Sequence, residues 1–167
     1  MSTIFKDTYR VNFKENIKKP EDAELIFVII QETLKKFKLD LIKGMKVLEI
    51  GSGNATLLDL LKKHGVDILG VDAEPRPSKN ENKIPLSISG YIENLPFSNN
   101  SFNIIIANAV FDPTLHNQDQ RLMMTEIARV LKPGGMFFGF KQSYLLDVPI
   151  DGFNLIPDET IVIYKKS

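Results

Sequence analysis

Two carboxylates and a pair of glycines are the residues of this sequence best spaced to do chemistry. Gly51-Ser52-Gly53 follows the short apolar run Lys46-Val47-Leu48-Glu49-Ile50 and precedes a helical pattern from Asn54 to Lys63. Glycine at 51 and 53 lets the backbone turn tightly and approach a ligand with no Cβ in the way. A helix starting at Asn54 would present free N–H groups beside that turn. Asp72 closes the next apolar run, 19 residues past Gly53. A carboxylate there can accept two hydrogen bonds from the hydroxyls of a ribose. Short glycine turns also join strands to helices without binding anything, so the turn alone does not make a site. A dinucleotide-type G-x-G-x-x-G is disfavoured because its third glycine falls at Thr56, and no Gly-Lys-Ser/Thr follows to make a phosphate loop.

These residues need a frame that brings Gly51 and Asp72 together. Residues 46–50, the helical stretch 54–63 and Val66 to Val71 read as strand, helix, strand, with Gly65 suited to a left-handed helix cap. Such a βαβ unit is right-handed and sets its two strands parallel. Upstream, Pro20 suits the first position of a helix, with Glu21, Asp22 and Glu24 in its first turn. Leu25, Ile26, Ile29, Ile30, Thr33, Leu34 and Phe37 give that helix an apolar stripe. Downstream, Ala73 to Lys83 reads as a loop and Ile84 to Ser89 as a third strand weakened by Pro85. Ser101 to Asn108 is nearly continuous apolar, as strands buried on both faces are. Asn117 can cap a helix running to Leu131, with Gln120 at the capping-box position. Lys132-Pro133-Gly134-Gly135 reads as a stop and turn before a strand from Met136 to Phe140. Phe153 to Ile156 and Thr160 to Tyr164 read as a closing hairpin. The pattern predicts an α/β fold: a doubly wound, mostly parallel sheet of seven (or six) strands with an antiparallel C-terminal hairpin. Ligands bind such sheets beyond the carboxyl ends of the strands, near the switch in strand order.

The 167 residues fit one domain, with residues 1–40 as an N-terminal segment and helix and 44–167 as the core. Charge balances at 21 basic and 21 acidic residues, with lysine pairs scattered along the chain as solvated helix faces would be. That balance argues against a nucleic-acid partner. There is no cysteine, and His64 and His116 have no ligand cluster around them, so no metal is expected. No apolar run approaches membrane length, and the first residues lack a signal-like core. A cytoplasmic protein without a membrane partner is the expectation.

The residues also carry a resemblance. Val47-Leu48-Glu49-Ile50-Gly51-Ser52-Gly53-Asn54-Ala55 resembles the first motif of class I S-adenosylmethionine-dependent methyltransferases, and Gly70-Val71-Asp72 the second. Glu93-Asn94-Leu95-Pro96-Phe97 with Asn100-Ser101-Phe102-Asn103 is similar to the third and fourth, and Glu126 to Gly135 to the helix and turn that follow. The resemblance spans residues 44 to 140 in order and implies a Rossmann-like fold, S-adenosylmethionine as cofactor and S-adenosylhomocysteine as product. It implies that Glu49 orients the glycine loop or meets the cofactor's amino group through water. Gly51 and Gly53 would pass close to the methionine and ribose portions, and Asp72 would bind the ribose. Ile92 and Glu93 would flank the adenine, and Asn108 would line the pocket near the sulfonium. Ser52 and Ala73 complete the implied cofactor-binding set. The chain departs from the family where Tyr91 replaces an acidic residue, Ala55 a glycine that a helical position would not need, and Asn103 an aspartate. The connection from Ala73 to Lys83 is also too short for the family's usual helix.

Each of these residues has a plainer reading as well. Glu49 could brace the loop, Asp72 could be a solvated strand end, and Tyr91 and Phe97 could simply pack. Candidates for chemistry on the acceptor are Asn108, Asp112 and His116, the last two more simply read as an ordinary loop leading into a helix. Methyl transfer asks the protein to bind, orient and exclude water, since the cofactor's sulfonium already makes the methyl group electrophilic. The sequence therefore names no acceptor. A small molecule is favoured, a protein acceptor remains open, and a homodimer could complete the site. Tyr9, Arg10 and Phe13 are candidate lid residues. The alternative is a catalytically inactive relative that binds the cofactor or a partner.

Overall fold

A computed structural model describes residues 20–39, 44–73, 87–108, 110, 117–140, 151–156 and 161–167. Helix α1 (Pro20–Lys36) starts at the expected proline and carries Lys35 and Lys36 in its last turn, where the helix dipole favours cations. Its buried seam is Ala23, Ile26, Phe27, Ile29, Ile30, Thr33 and Leu34. Leu25 only packs against the edge of that cluster. The helix ends on Lys38 at φ 56, with the Leu39 N–H donating to the Leu34 carbonyl. This is the left-handed closure usually given to glycine.

Strand β1 (Lys46–Ile50) runs into the glycine turn, and helix α2 (Thr56–Lys63) follows. The helix starts two residues later than the sequence suggests. Ala55 is not helical but left-handed, at φ 59. The family's glycine at that position thus has a conformational reason, and alanine bears a cost of about 1–2 kcal/mol there. Gly65, at φ 78, closes α2 as expected, with the Val66 N–H donating to the Leu61 carbonyl.

Strands β2 (Asp67–Asp72), β3 (Ser87–Ser89) and β4 (Phe102–Asn108) come next, then helix α3 (Asn117–Val130) and strands β5 (Leu131–Phe140), β6 (Phe153–Ile156) and β7 (Ile161–Lys166). Of the expected third strand, Ser87–Ser89 is described, and residues 84–86 lie outside the described residues. Lys132 to Gly135 is not a separate turn. It is a bulged entry to β5: Phe102 partners Leu131, and Ile104 partners Met136. Gly134 takes φ 75 at the bulge, which lets the helix stop and the strand begin with no intervening loop.

The seven strands form one sheet in the order β3-β2-β1-β4-β5-β7-β6. The first five are mutually parallel, while β7 is antiparallel to β5 and β6 to β7. One face buries Val47, Ile68, Ile104, Ile106, Phe138 and Phe140 against α1 and α2. The other buries Leu48, Ile50, Val71, Ile105 and Phe137 against Met123, Met124, Ile127 and Val130 of α3. The sheet is therefore a Rossmann-like α/β layer structure with an antiparallel C-terminal edge. The order reverses between β1 and β4: the chain moves outward from β1 to β3, then returns to the other side of β1. A crevice opens at such a switch, beyond the carboxyl ends of β1 and β4. Among the described residues no helix is long and apolar enough to cross a membrane.

Candidate functional site

The end of β1 is held by its neighbour. The Gly51 and Ser52 N–H groups both point at the Val71 carbonyl, at 2.8 and 3.3 Å, so β2 continues to grip the chain past Ile50. Gly51 takes φ 72 and Gly53 φ 50, left-handed conformations that turn the backbone across the top of the sheet. The Gly53 N–H then donates to Asp72 Oδ2 at 2.8 Å. The two halves of the expected site, glycine turn and carboxylate, thus meet directly. From the other side the Gly90 N–H donates to the Asp72 carbonyl at 3.0 Å, bringing the segment after β3 to the same strand end.

Ser52 reaches into the sheet rather than the crevice. Its hydroxyl lies 2.6 Å from the Ser87 hydroxyl in a buried pair, and it rests where a Cβ on Gly70 would stand. What Ser52 presents to the crevice is backbone. Gly51 makes room of a different kind from the one expected: a Cβ there would collide with Val110 Cγ2. The space kept free by this glycine is occupied by the protein's own side chain just past β4.

Glu49 is 3% exposed, and among the described residues its Oε2 has no hydrogen-bond partner. Burial, and secondarily the charge of Asp72, push its carboxyl well above the usual glutamate range. A buried acid with one oxygen unsatisfied costs stability, so a brace is an incomplete account of it.

The other expected residues are placed unevenly. Ala73 is exposed just beyond Asp72, Ile92 is buried in the α3-side core, and Glu93 is exposed. Tyr91 is 66% exposed and bridges to Asn94, so it does not pack. Phe97 does pack, edge-on to Phe102 at 4.8 Å. Asn108 ends β4 opposite Phe140, at the crevice edge by register; its side chain is not among those described. Asp112 and His116, and the lid candidates Tyr9, Arg10 and Phe13, lie outside the described residues.

The contacts of two further groups have no counterpart in the sequence pattern. Asn103 Oδ1 accepts from the Lys46 N–H and from Lys132 Nζ, both at 3.0 Å, so that its oxygen ties β1 to the bulge before β5, a role an aspartate could fill as well. Arg129 and Glu126, one turn apart on α3, form an ion pair at 2.7 Å and hold the segment between β3 and β4. Their spacing announces the pair, but their other partners, backbone groups and the Asn99 side chain, have no signal in the sequence.

The chain is similar to known proteins in sequence and in fold. The sequence matches the family described as "Methyltransferase domain" over residues 48–139, more than half of the chain. It is 33% identical over 104 residues to the sarcosine/dimethylglycine N-methyltransferase of Aphanothece halophytica, covering 56% of this chain and 36% of that protein. It is 28% identical over 107 residues to the ubiquinone biosynthesis O-methyltransferase of Sinorhizobium fredii, covering 58% and 41%. The chain thus spans well under half the length of these curated relatives. Its fold is similar to that of the PH0226 protein of Pyrococcus horikoshii OT3, with a TM-score of 0.63 and 18% identity over 96% of this chain and 99% of that one. It is also similar to that of a TehB-like SAM-dependent methyltransferase of Corynebacterium glutamicum, with a TM-score of 0.56 and 16% identity over 89% and 100%. The match over residues 48–139 contains the glycine turn and Asp72, and with it the chain belongs to the class I S-adenosylmethionine-dependent methyltransferase family.

Proposed function

We propose that this chain binds S-adenosylmethionine and transfers its methyl group to a small-molecule acceptor. The observation that carries the reading is the contact between the Gly53 N–H and the Asp72 carboxylate at the switch point of the sheet. It would set a ribose-binding acid beside a glycine bend whose Gly51 end is covered by Val110.

The residues present suit the cofactor. Asp72 would accept from the ribose hydroxyls, and the backbone from Gly51 to Gly53 would follow the ribose and methionine portions, with Ser52 contributing main chain. Glu49 supplies a buried carboxyl oxygen that lacks a partner, as a site for an amino group held directly or through water requires. Ile92 would give the adenine an apolar wall, with Glu93 and Ala73 beside it, and Asn108 would border the reacting end. The bound cofactor supplies an electrophilic methyl group; the chain's part is to bind, orient and exclude water. Val110, seated on Gly51, is an apolar side chain at that end and would help keep water out.

The names of the relatives support a small acceptor, since sarcosine, dimethylglycine and ubiquinone precursors are small molecules. The test has two steps. Thermal shifts with S-adenosylhomocysteine, NAD and ATP should show stabilisation by the first alone. Transfer of labelled methyl from S-adenosylmethionine to a panel of small amines, phenols and carboxylates should then find the acceptor. Binding without transfer to any small molecule or protein acceptor would favour a non-catalytic cofactor- or partner-binding role. Tighter binding of NAD would overturn the proposal.

A further inference from the structure

The segment that connects β3 to β4, residues 90–101, has no regular ladder of its own beyond the Tyr91–Asn94 bridge. A segment of this kind keeps one conformation only if its backbone groups are held from outside. Arg129 does most of that holding. A guanidinium has five N–H donors, and all five are used here. Nε donates to Glu126 Oε1 at 2.7 Å, and one terminal nitrogen donates to Glu126 Oε2 at 2.8 Å and to the Leu95 carbonyl at 2.9 Å. The other terminal nitrogen donates to the Phe97 carbonyl at 2.7 Å and to Asn99 Oδ1 at 3.0 Å. Glu126 Oε2 in turn accepts from the Leu95 N–H at 2.8 Å. Even the Arg129 carbonyl takes part, accepting from the Asn100 N–H at 2.9 Å.

Leu95 is therefore pinned through both its N–H and its carbonyl, by the two halves of one ion pair. Two residues before it stands Glu93, and the segment's other end is tied to the Asp72 carbonyl through Gly90. Between these two fixed points lies the Tyr91–Asn94 turn, with Ile92 buried as its apolar anchor. The pair is mostly shielded, with side chains 30% and 17% exposed, and Arg129 holds the Glu126 carboxyl below its usual range. Both groups stay ionised at neutral pH, when the clamp is needed.

We propose that Arg129 and Glu126 are positioning residues for the adenine end of the cofactor site: by fixing Leu95 to Asn99 they set the height of Ile92 and Glu93 against Asp72, and so control nucleobase recognition without touching the ligand. This rests on the cofactor reading given above.

The test uses the full chain and two ligands, S-adenosylhomocysteine and S-inosylhomocysteine, in which the adenine amine is replaced by oxygen. Wild type should prefer the adenine form. Arg129→Lys, which keeps the charge but not the fork, and Glu126→Gln should each weaken S-adenosylhomocysteine binding about tenfold and shrink the preference toward unity. Asn99→Ala, which frees a single guanidinium donor and leaves the fold least disturbed, should act in the same direction by roughly threefold. It serves if Arg129→Lys does not fold. If the variants weaken both ligands equally and keep the preference, the pair is merely structural and the proposal falls. It also falls if they bind as wild type does, or if wild type shows no preference. If wild type binds neither ligand, the cofactor reading itself falls and takes this proposal with it.

Discussion

Replacing Glu49 by glutamine should change how stability depends on pH, and the size of the change follows from its burial. The residue is 3% exposed, one carboxyl oxygen has no partner among the described residues, and burial first, then the charge of Asp72, raises its pKa well above the ordinary value of 4.5. The folded protein thus retains a proton that the unfolded chain releases. Below the ordinary glutamate range both states are protonated and the residue contributes no pH dependence. Between the unfolded and folded pKa values each unit of pH removes about 1.4 kcal/mol of stability. Above the raised pKa both states are ionised and the penalty stays at its full size. Glutamine cannot titrate, so the stability of Glu49→Gln relative to wild type should climb from about pH 5 upward. Asp72→Asn removes the like charge and should shorten the window, leaving most of the slope because burial is the larger cause. Urea unfolding of the three proteins between pH 5 and 8, at constant ionic strength, measures these differences. A flat difference curve for Glu49→Gln would mean that Glu49 is ionised and satisfied in the fold, and the account of the buried acid would be wrong.

Two double-substitution cycles test the packing of the turn. Gly51→Ala should cost about 1–2 kcal/mol for the left-handed backbone and a further 1–3 kcal/mol for the collision with Val110. Adding Val110→Ala should restore the second part and not the first, as read by chemical denaturation. Ser52→Ala and Ser87→Ala should each cost about 1–3 kcal/mol by stranding a buried hydroxyl, and the double variant should cost clearly less than their sum. Strictly additive costs would mean that the two hydroxyls do not depend on each other.

The parts of this fold that could be read in advance are those whose signal is local. β1 and β4 declare themselves by near-continuous apolar runs, α1 by its proline start and basic end, and α2 by the glycine at position 65. The glycine turn and Asp72 were legible together because a βαβ unit fixes the register between them. Non-local causes were not legible. Lys132-Pro133-Gly134-Gly135 looks like a turn because every residue in it breaks structure, yet pairing of the flanking Leu131 and Met136 with β4 folds it into a strand as a bulge. Ala55 looks like a helix former and sits left-handed, because the turn before it, closed by the Ala55 N–H on the Ser52 carbonyl, dictates its backbone. Gly51 looks like an opening for a ligand and turns out to seat Val110, a neighbour 59 residues away in sequence. The lysine pairs at 35–36 and 165–166 look scattered, yet Lys165 Nζ lies over the Phe37 ring, 5.6 Å from its centroid, just past the end of α1.

The glycine turn and Asp72 together are held to form the ribose end of a cofactor site, and calorimetric titration of S-adenosylhomocysteine into wild type and Asp72→Ala measures this most directly. Wild type should bind, and the variant, still folded but about 1 kcal/mol less stable for the lost Gly53 N–H bond, should bind about 1–3 kcal/mol more weakly. Equal affinity for the two proteins, or no heat from wild type at all, would contradict it.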